Sequence, residues 1–330
     1  VDPLAAEIGA LGGLVRQLAD SVAAHDAALR QSGGLQHIAP VAAVSSADAP
    51  LALSESDAVS PARVVHLDRD RAVDMVVQAI DGHRIDLYLQ PIVTLPQRKV
   101  RFYEAMSRLR TEDGEIVAAS AFVDAAEAAG LMPKIDNLLL FRAVQVVRRL
   151  QLKSREVGIF CNISATTLTD AAQFRQFLDF VDANRALGDS LTFEFTQAAY
   201  RNFGPLEQEG LSALAERGFR FSMDHVTDLR MEPRDLAERS FRFLKVPDPL
   251  LQTTASGAQS DIHPEDLADL LARSGVDLIA EHIESESTVL DLLDYDVRFG
   301  QGFLFSVPRP VRPEALGGAE ARAEFATPAA

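Results

Sequence analysis

The sequence holds a single cysteine in 330 residues, so no internal disulfide can form and a reducing compartment, the cytoplasm, is the expected setting. No run of about eighteen or more apolar residues occurs, so nothing reads as a membrane-spanning helix. Positive charge is scarce: 32 Lys and Arg stand against 48 Asp and Glu, a net charge of −16. Such a chain repels nucleic acid and anionic lipid, which argues against both as partners, and any anionic ligand needs local cations or a metal to offset the field. No strand-like stretch leads into a Gly-rich phosphate fingerprint, which disfavours a doubly wound nucleotide-binding sheet. The chain opens Val1-Asp2 without methionine, which leaves room for an upstream targeting segment or an inner-membrane tether.

Hydrophobic residues make up 47% of the chain, enough for one large barrel or two ordinary domains. Residues 1–30 carry apolar positions with gaps of four and three. Ile8, Val15, Val22 and Leu29 fall at one heptad position, and Leu4, Leu11, Leu18 and His25 at the other. Mostly β-branched residues at the first and leucine at the second favour a parallel two-stranded coiled coil, and hence a parallel homodimer through residues 4–29. Gly12, Gly13 and His25 weaken that seam, and an amphipathic helix lying on the globular domain is the alternative. Residues 31–66 mix Ala, Ser, Asp and Pro with few large apolar groups and read as a linker, and residues 316–330 read as a tail.

Regular patterning fills residues 67–315. Ile85–Val93 and Val100–Leu109 read as a hairpin across a polar turn at Pro96 to Lys99. Further strands are expected at Gly158–Ser164, Leu191–Thr196, Phe219–Asp224, Phe241–Lys245, Val276–Glu281 and Phe299–Phe305. Helical patterns precede the hairpin at Arg69–Ile80 and separate the later strands. Eight strands alternating with helices over about 250 residues predict an α/β fold, a (β/α)₈ barrel in which the opening hairpin sets one strand against the others. Asn162, Glu194, Asp224, Lys245, Glu281 and Gln301 each stand at or near the C-terminal end of a different strand, and Glu104 joins them from the hairpin. In a barrel those ends share one mouth, and a carboxylate inside an apolar strand is costly unless paired. An oxygen-rich set of this kind suits Mg²⁺, Mn²⁺ or Ca²⁺. Cys161 reads as packed core; Glu112, Asp113 and Glu115 read as a solvated turn around Gly114.

Read in order, Leu89-Gln-Pro-Ile-Val93, Tyr103-Glu-Ala-Met-Ser-Arg108, Cys161-Asn-Ile-Ser164, Phe193-Glu-Phe-Thr196, Met223-Asp224, Leu244-Lys245, Ala280-Glu-His-Ile-Glu284 and Gln301-Gly-Phe-Leu-Phe305 resemble the EAL domain. That family hydrolyses cyclic di-GMP with two divalent cations in a modified (β/α)₈ barrel. The resemblance implies a first cation, Mg²⁺ or Mn²⁺, on Glu104, Asn162, Glu194 and Asp224. It implies ligand contacts from Gln90, Glu104, Arg108, Asn162, Asp224, Lys245, Gln301 and Pro308. The departures bear on activity. His225 stands where the family has a second aspartate, and Gln197 where an acid anchors the following loop. That loop, Thr227–Arg234, lacks the family's Gly and Ser, and His282 replaces a glycine. Losing one anionic ligand and the loop's support should leave Glu104, Lys245 and Glu281 as vestiges of a catalytic set. The expectation is a degenerate EAL domain acting as a cyclic di-GMP receptor, similar to the TipF-type receptors of polar flagellum assembly. That similarity implies flagellar or polarity proteins as partners. A slow phosphodiesterase and a nucleotide-independent scaffold are the alternatives.

Overall fold

The computed structural model describes residues 69–153, 156–252 and 264–311. The expected coiled coil, the linker and the C-terminal tail lie outside the described residues. Helix α1 (Arg69–Asp81) leads into β1 (Ile85–Thr94) and β2 (Val100–Arg110), followed by the short β3 (Ile116–Ala118). Helices α2 (Val123–Ala128) and α3 (Met132–Lys153) precede β4 (Gly158–Asn162). The chain continues through α4 (Ala165–Thr169), α5 (Ala171–Ala183), β5 (Leu191–Thr196), α6 (Gln197–Arg201), α7 (Pro205–Glu216) and β6 (Arg220–Asp224). It closes with α8 (Pro233–Glu238), β7 (Phe241–Pro247), α9 (Asp248–Gln252), α10 (Pro264–Arg273), β8 (Asp277–Glu281), α11 (Glu286–Asp294), β9 (Phe299–Gln301) and the two-residue β10 (Arg309–Pro310).

Eight of these strands close on themselves in the order β1-β9-β8-β7-β6-β5-β4-β2, with β2 returning to β1. Strand β1 is antiparallel to both its barrel neighbours, and every other barrel pairing is parallel. The hairpin-first (β/α)₈ architecture expected from the sequence is therefore the observed one. Strand β3 extends β2 outside the ring, and β10 pairs β1 at Tyr88 and Leu89.

Two differences from the expected elements have physical causes. The last barrel strand ends at Gln301, four residues earlier than its pattern suggests. Gly302 is pressed onto Ile283 so closely that a Cβ would collide with the Ile283 backbone, and the chain turns there. Short helices α4, α6 and α9 sit where loops were expected, each directly or soon after a barrel strand. At five residues each they are too brief to show the 3.6-residue period in the sequence.

Side-chain alternation sorts the barrel interior into levels. Ile92, Phe102, Phe160, Phe243, Ile279 and Phe299 form an apolar cluster of their own, with Phe102 set edge-to-face 5.0–5.6 Å from Phe160, Phe243 and Phe299. Each stands two residues from a polar group on the same strand: Gln90, Glu104, Asn162, Lys245, Glu281 and Gln301. A period of two puts both on one face, so an apolar plug lies directly under a polar layer.

Candidate functional site

The polar layer is a cage around Lys245. This side chain is fully buried, and its Nζ lies 2.8 Å from Glu104 Oε2, 3.0 Å from each Glu194 carboxylate oxygen and 3.7 Å from Glu281 Oε1. The partners within ion-pair range are the glutamates of β2, β5 and β8. Burial works against a charge on Lys245, yet Glu104, Glu194, Asp224 and Glu281 together hold its ammonium well above the usual lysine range. Burial pushes the Glu194 and Glu281 carboxyls up, with Lys245 opposing in both cases. Burial also raises Asp224, but Lys245 and the hydrogen bonds from His225 more than offset it and hold that carboxyl well below the ordinary range. Removing one partner from such a buried set is expensive, because the remaining charges lose their compensation.

Amides complete the cage. Gln301 Nε2 donates to Glu104 Oε2 at 2.6 Å and to Gln90 Oε1 at 3.0 Å, Asn162 Nδ2 donates to Glu104 Oε1 at 3.3 Å, and Gln90 Nε2 donates to the Ser306 carbonyl at 3.1 Å. Glu104 is thus the hub the sequence singled out.

The cage forms one wall of a cavity of about 410 Å³. Gln90, Glu104, Arg108, Asp224, Gln301 and Pro308, six of the eight expected ligand contacts, line it, and so does Glu281. Asn162, Glu194 and Lys245 belong to the cage but do not line the cavity. Arg108 is half-buried, donates to the Ser107 carbonyl at 2.8 Å and stands over the Tyr88 ring; among the described residues it has no carboxylate in ion-pair range. Its guanidinium is therefore free to meet an anion. Sequence reasoning gave no role to Met106, Val226, Thr227 and Pro247, which also line the cavity. Val226 and Thr227 reach it by a loop path that no local pattern encodes, and Met106 and Pro247 stand on strands β2 and β7.

Glu104, Glu194 and Asp224 bring one carboxylate oxygen each within 4.8 Å of one another, with Asn162 beside Glu104. Glu194 Oε1 is buried, with the Lys245 ammonium 3.0 Å away. Three buried carboxylates converging within 4.8 Å of one another fit a hard divalent cation, so the first cation set implied by the resemblance is chemically suited to Mg²⁺ or Mn²⁺. The second set implied by the resemblance has no acid at position 225. His225 takes the acid's place, exposed, with Nδ1 3.1 Å from Asp224 Oδ2 and its backbone N–H 2.6 Å from Asp224 Oδ1. Among the described residues no histidine nitrogen joins the acid cluster.

The loop after β6 departs from the expectation that replacing its anchoring acid leaves it unsupported. Gln197 is buried and ties the loop at two points: Oε1 accepts from the Thr227 N–H at 3.0 Å and hydroxyl at 3.1 Å, and Nε2 donates to the Asp228 carbonyl at 2.7 Å. Arg201 grips the Asp228 carboxylate through two bonds of 2.7 and 2.6 Å. An amide can donate and accept at once, which a carboxylate cannot. A support missed in the sequence lies under β4: buried Asp136 accepts from the Ser164 N–H and hydroxyl at 2.8 Å each and from the Thr167 hydroxyl at 2.5 Å. Its only signal was an acid inside an apolar helical stretch.

Comparison with known proteins supports the arrangement. The chain is 26% identical over 224 residues to an uncharacterized 76.5 kDa protein of Thiocystis violacea, covering 68% of this chain and 32% of that protein. It is 23% identical over 241 residues to the cyclic di-GMP phosphodiesterase PdeB of Shewanella oneidensis, covering 72% and 28%. The chain therefore spans about a third of the length of these relatives. Its fold matches the structure of the EAL enzyme Bd1971 in a form with cAMP and cyclic di-GMP bound, with a TM-score of 0.63 at 22% identity over 74% of this chain and 67% of the other. The EAL domain model matches residues 73–308, which spans the whole barrel and its mouth, and the chain belongs to the EAL domain family.

Proposed function

We propose that this protein is a cyclic di-GMP receptor whose EAL barrel keeps the nucleotide site and has lost the second cation site that hydrolysis needs. His225 carries the reading. Two-metal cleavage of a phosphodiester needs both ions about 3.5–4 Å apart, clamping the attacking water and the scissile phosphate. An exposed imidazole bonded to Asp224 brings no negative charge for the second ion and engages the ligand both ions would share. Losing that ion should cost several orders of magnitude in rate, since about 1.4 kcal/mol of barrier is a factor of ten. Binding keeps its parts: Arg108 for a phosphate, Gln90 and Gln301 for polar base edges, and Phe303 and Pro308 as apolar walls. When bound, a first cation would rest on Glu104, Asn162, Glu194 and Asp224 and neutralise phosphate charge.

A slow phosphodiesterase is the second reading, favoured by the intact acid trio and by the activity in PdeB's name. Calorimetric titration with cyclic di-GMP, with and without Mg²⁺, and assay of linear dinucleotide release with Mg²⁺ and Mn²⁺ separate the cases. Saturable binding without turnover is expected. Steady release of the linear product defeats the receptor reading, and no heat at tens of micromolar nucleotide leaves a scaffold. Arg108→Ala is expected to weaken binding about tenfold or more, through loss of a charge-assisted hydrogen bond, and Glu104→Ala to weaken it by disordering the cage. Unchanged affinity in Glu104→Ala would mean that the surviving acids are idle. The receptor's place is proposed to be the cytoplasmic side of a polar flagellum, with flagellar or polarity proteins as partners, a tether upstream of this chain and dimerisation through residues 4–29. Crosslinking in cells tests that placement.

A further inference from the structure

Two strands end in the same local device. Strand β6 closes on buried Asp224 followed by exposed His225 at φ +51°, and β8 closes on buried Glu281 followed by exposed His282 at φ +60°. Left-handed backbone disfavours any residue with a Cβ, and a bulky side chain there persists only where its surroundings impose it. Glycine would relieve both positions. His282 is nonetheless held there by its neighbours. The Ile283 N–H donates to the Gln301 carbonyl at 3.1 Å, and the Leu304 N–H donates to the Ile283 carbonyl at 3.0 Å. This weld fixes the 281–284 turn against the chain after β9.

The imidazole so placed lines the 410 Å³ cavity together with Arg108 and Gln301. Glu104, Asp224, Glu281 and Glu284 line the same cavity, in a chain with a net charge of −16. An anion entering this mouth meets more carboxylate than cation, so each N–H donor at the rim counts. An imidazole offers at least one N–H donor in either protonation state.

We infer that His282 is a ligand contact: its ring N–H hydrogen-bonds a phosphodiester oxygen of the bound cyclic dinucleotide, opposite the contact made by Arg108, and sets affinity. This rests on the receptor reading above. The strained backbone is retained because the side chain is used. Stability and affinity should then respond in opposite directions.

The test uses the whole chain and cyclic di-GMP as the probe. His282→Gly removes the ring and the strain, and is expected to raise the melting temperature by about 1–3 °C while weakening cyclic di-GMP about tenfold. His282→Ala keeps the Cβ and the strain, so it should lose affinity equally with no gain in melting temperature. His83 is exposed at φ +53° in the α1–β1 turn, away from the cavity, so His83→Gly should relieve strain and leave affinity unchanged. Wild-type affinity in His282→Ala or His282→Gly overturns the inference while leaving the receptor reading intact. An equal loss in His83→Gly also overturns it, because the effect would be global. A wild-type chain that does not bind cyclic di-GMP removes both together.

Discussion

The strand-borne cage and the loops above it are held by different means. In the cage, Glu104, Glu194, Lys245 and Gln301 sit on barrel strands, over a plug of phenylalanines whose spacing forces them into one layer. Around the rim, His225, Thr227, Asp228 and His282 follow loop paths fixed by side-chain ties from Gln197 and Arg201 and by the weld between Ile283 and Gly302–Leu304. Most of the departures that the resemblance marks, His225, His282, Gln197 and the loop Thr227–Arg234, are rim residues or their ties; Met106, Val246 and Pro247 lie on strands. The cage residues Glu104, Asn162, Glu194, Lys245 and Gln301 are among those the resemblance matches. A barrel can change its rim without disturbing its strands, because loop side chains do not take part in the sheet ladder.

The largest expected effect falls on the cage. Lys245→Met takes away the one cation among Glu104, Glu194 and Glu281 and leaves the acids buried together. Urea unfolding should show a loss of about 3–5 kcal/mol. A loss below about 1 kcal/mol would mean that the acids protonate or hydrate at little cost. The cage would then be no more constrained than the rim.

How far each region can be read from the sequence follows the same division. Asn162, Glu194, Asp224, Lys245, Glu281 and Gln301 could be placed together because each stands at or near the C-terminal end of a different strand, where a barrel has one mouth, and Glu104 joins them as an acid inside an apolar strand. Lys245 could not be assigned its partners, since which acids it meets depends on register between β7 and its neighbours across the barrel. The rim was less legible still. Gln197 looked like a lost anchor because the sequence records a missing charge. The structure shows an amide using both its donor and its acceptor on Thr227 and Asp228. The left-handed turn at His282 had an indirect signal, the glycine the family carries there, which reports backbone conformation and not catalysis. Asp136 had almost none, because the partners of this buried acid, Ser164 and Thr167, lie at the start of α4 and within it, about thirty residues away.

Asp136 offers the next test, of what supports the cage from outside. Burial pushes its carboxyl from the ordinary 3.8 up to about 6, against the hydrogen bonds from Thr167 and Ser164. In the folded chain the proton stays until near pH 6; in the unfolded chain it leaves near pH 4. Asp136 therefore favours the fold fully below about pH 4, and that contribution fades as pH climbs through 6, a change of roughly 3 kcal/mol. Asp136→Asn cannot ionise. The stability of the wild type relative to this variant should fall by about that amount between pH 4 and 7. Parallel pH curves would show that Asp136 ionises as it does in solvent and that the turn after Asn162 is not held by a protonated acid.

The smallest effect is expected at the rim, and it decides whether the ties there restrain the loop or merely decorate it. Arg201 is partly exposed while its partner Asp228 is 5% exposed, so solvent screens one side of the pair. Arg201→Ala leaves Asp228 with Arg230, whose Nη2 is 3.6 Å away, and with its own contact to the Arg230 N–H at 3.0 Å. Stability should drop by about 1 kcal/mol or less. The local readout is sharper. The Arg230 amide should exchange with solvent faster in Arg201→Ala, while amides of β5 next to Glu194 keep wild-type protection, since local opening need not involve the sheet. Gln197→Ala removes three hydrogen bonds from a buried position and should loosen the same loop further, with the Thr227 amide now affected as well. If either substitution also slowed or sped exchange in β5, the rim and the cage would form one cooperative unit, and replacing loop residues could not have left the cage untouched.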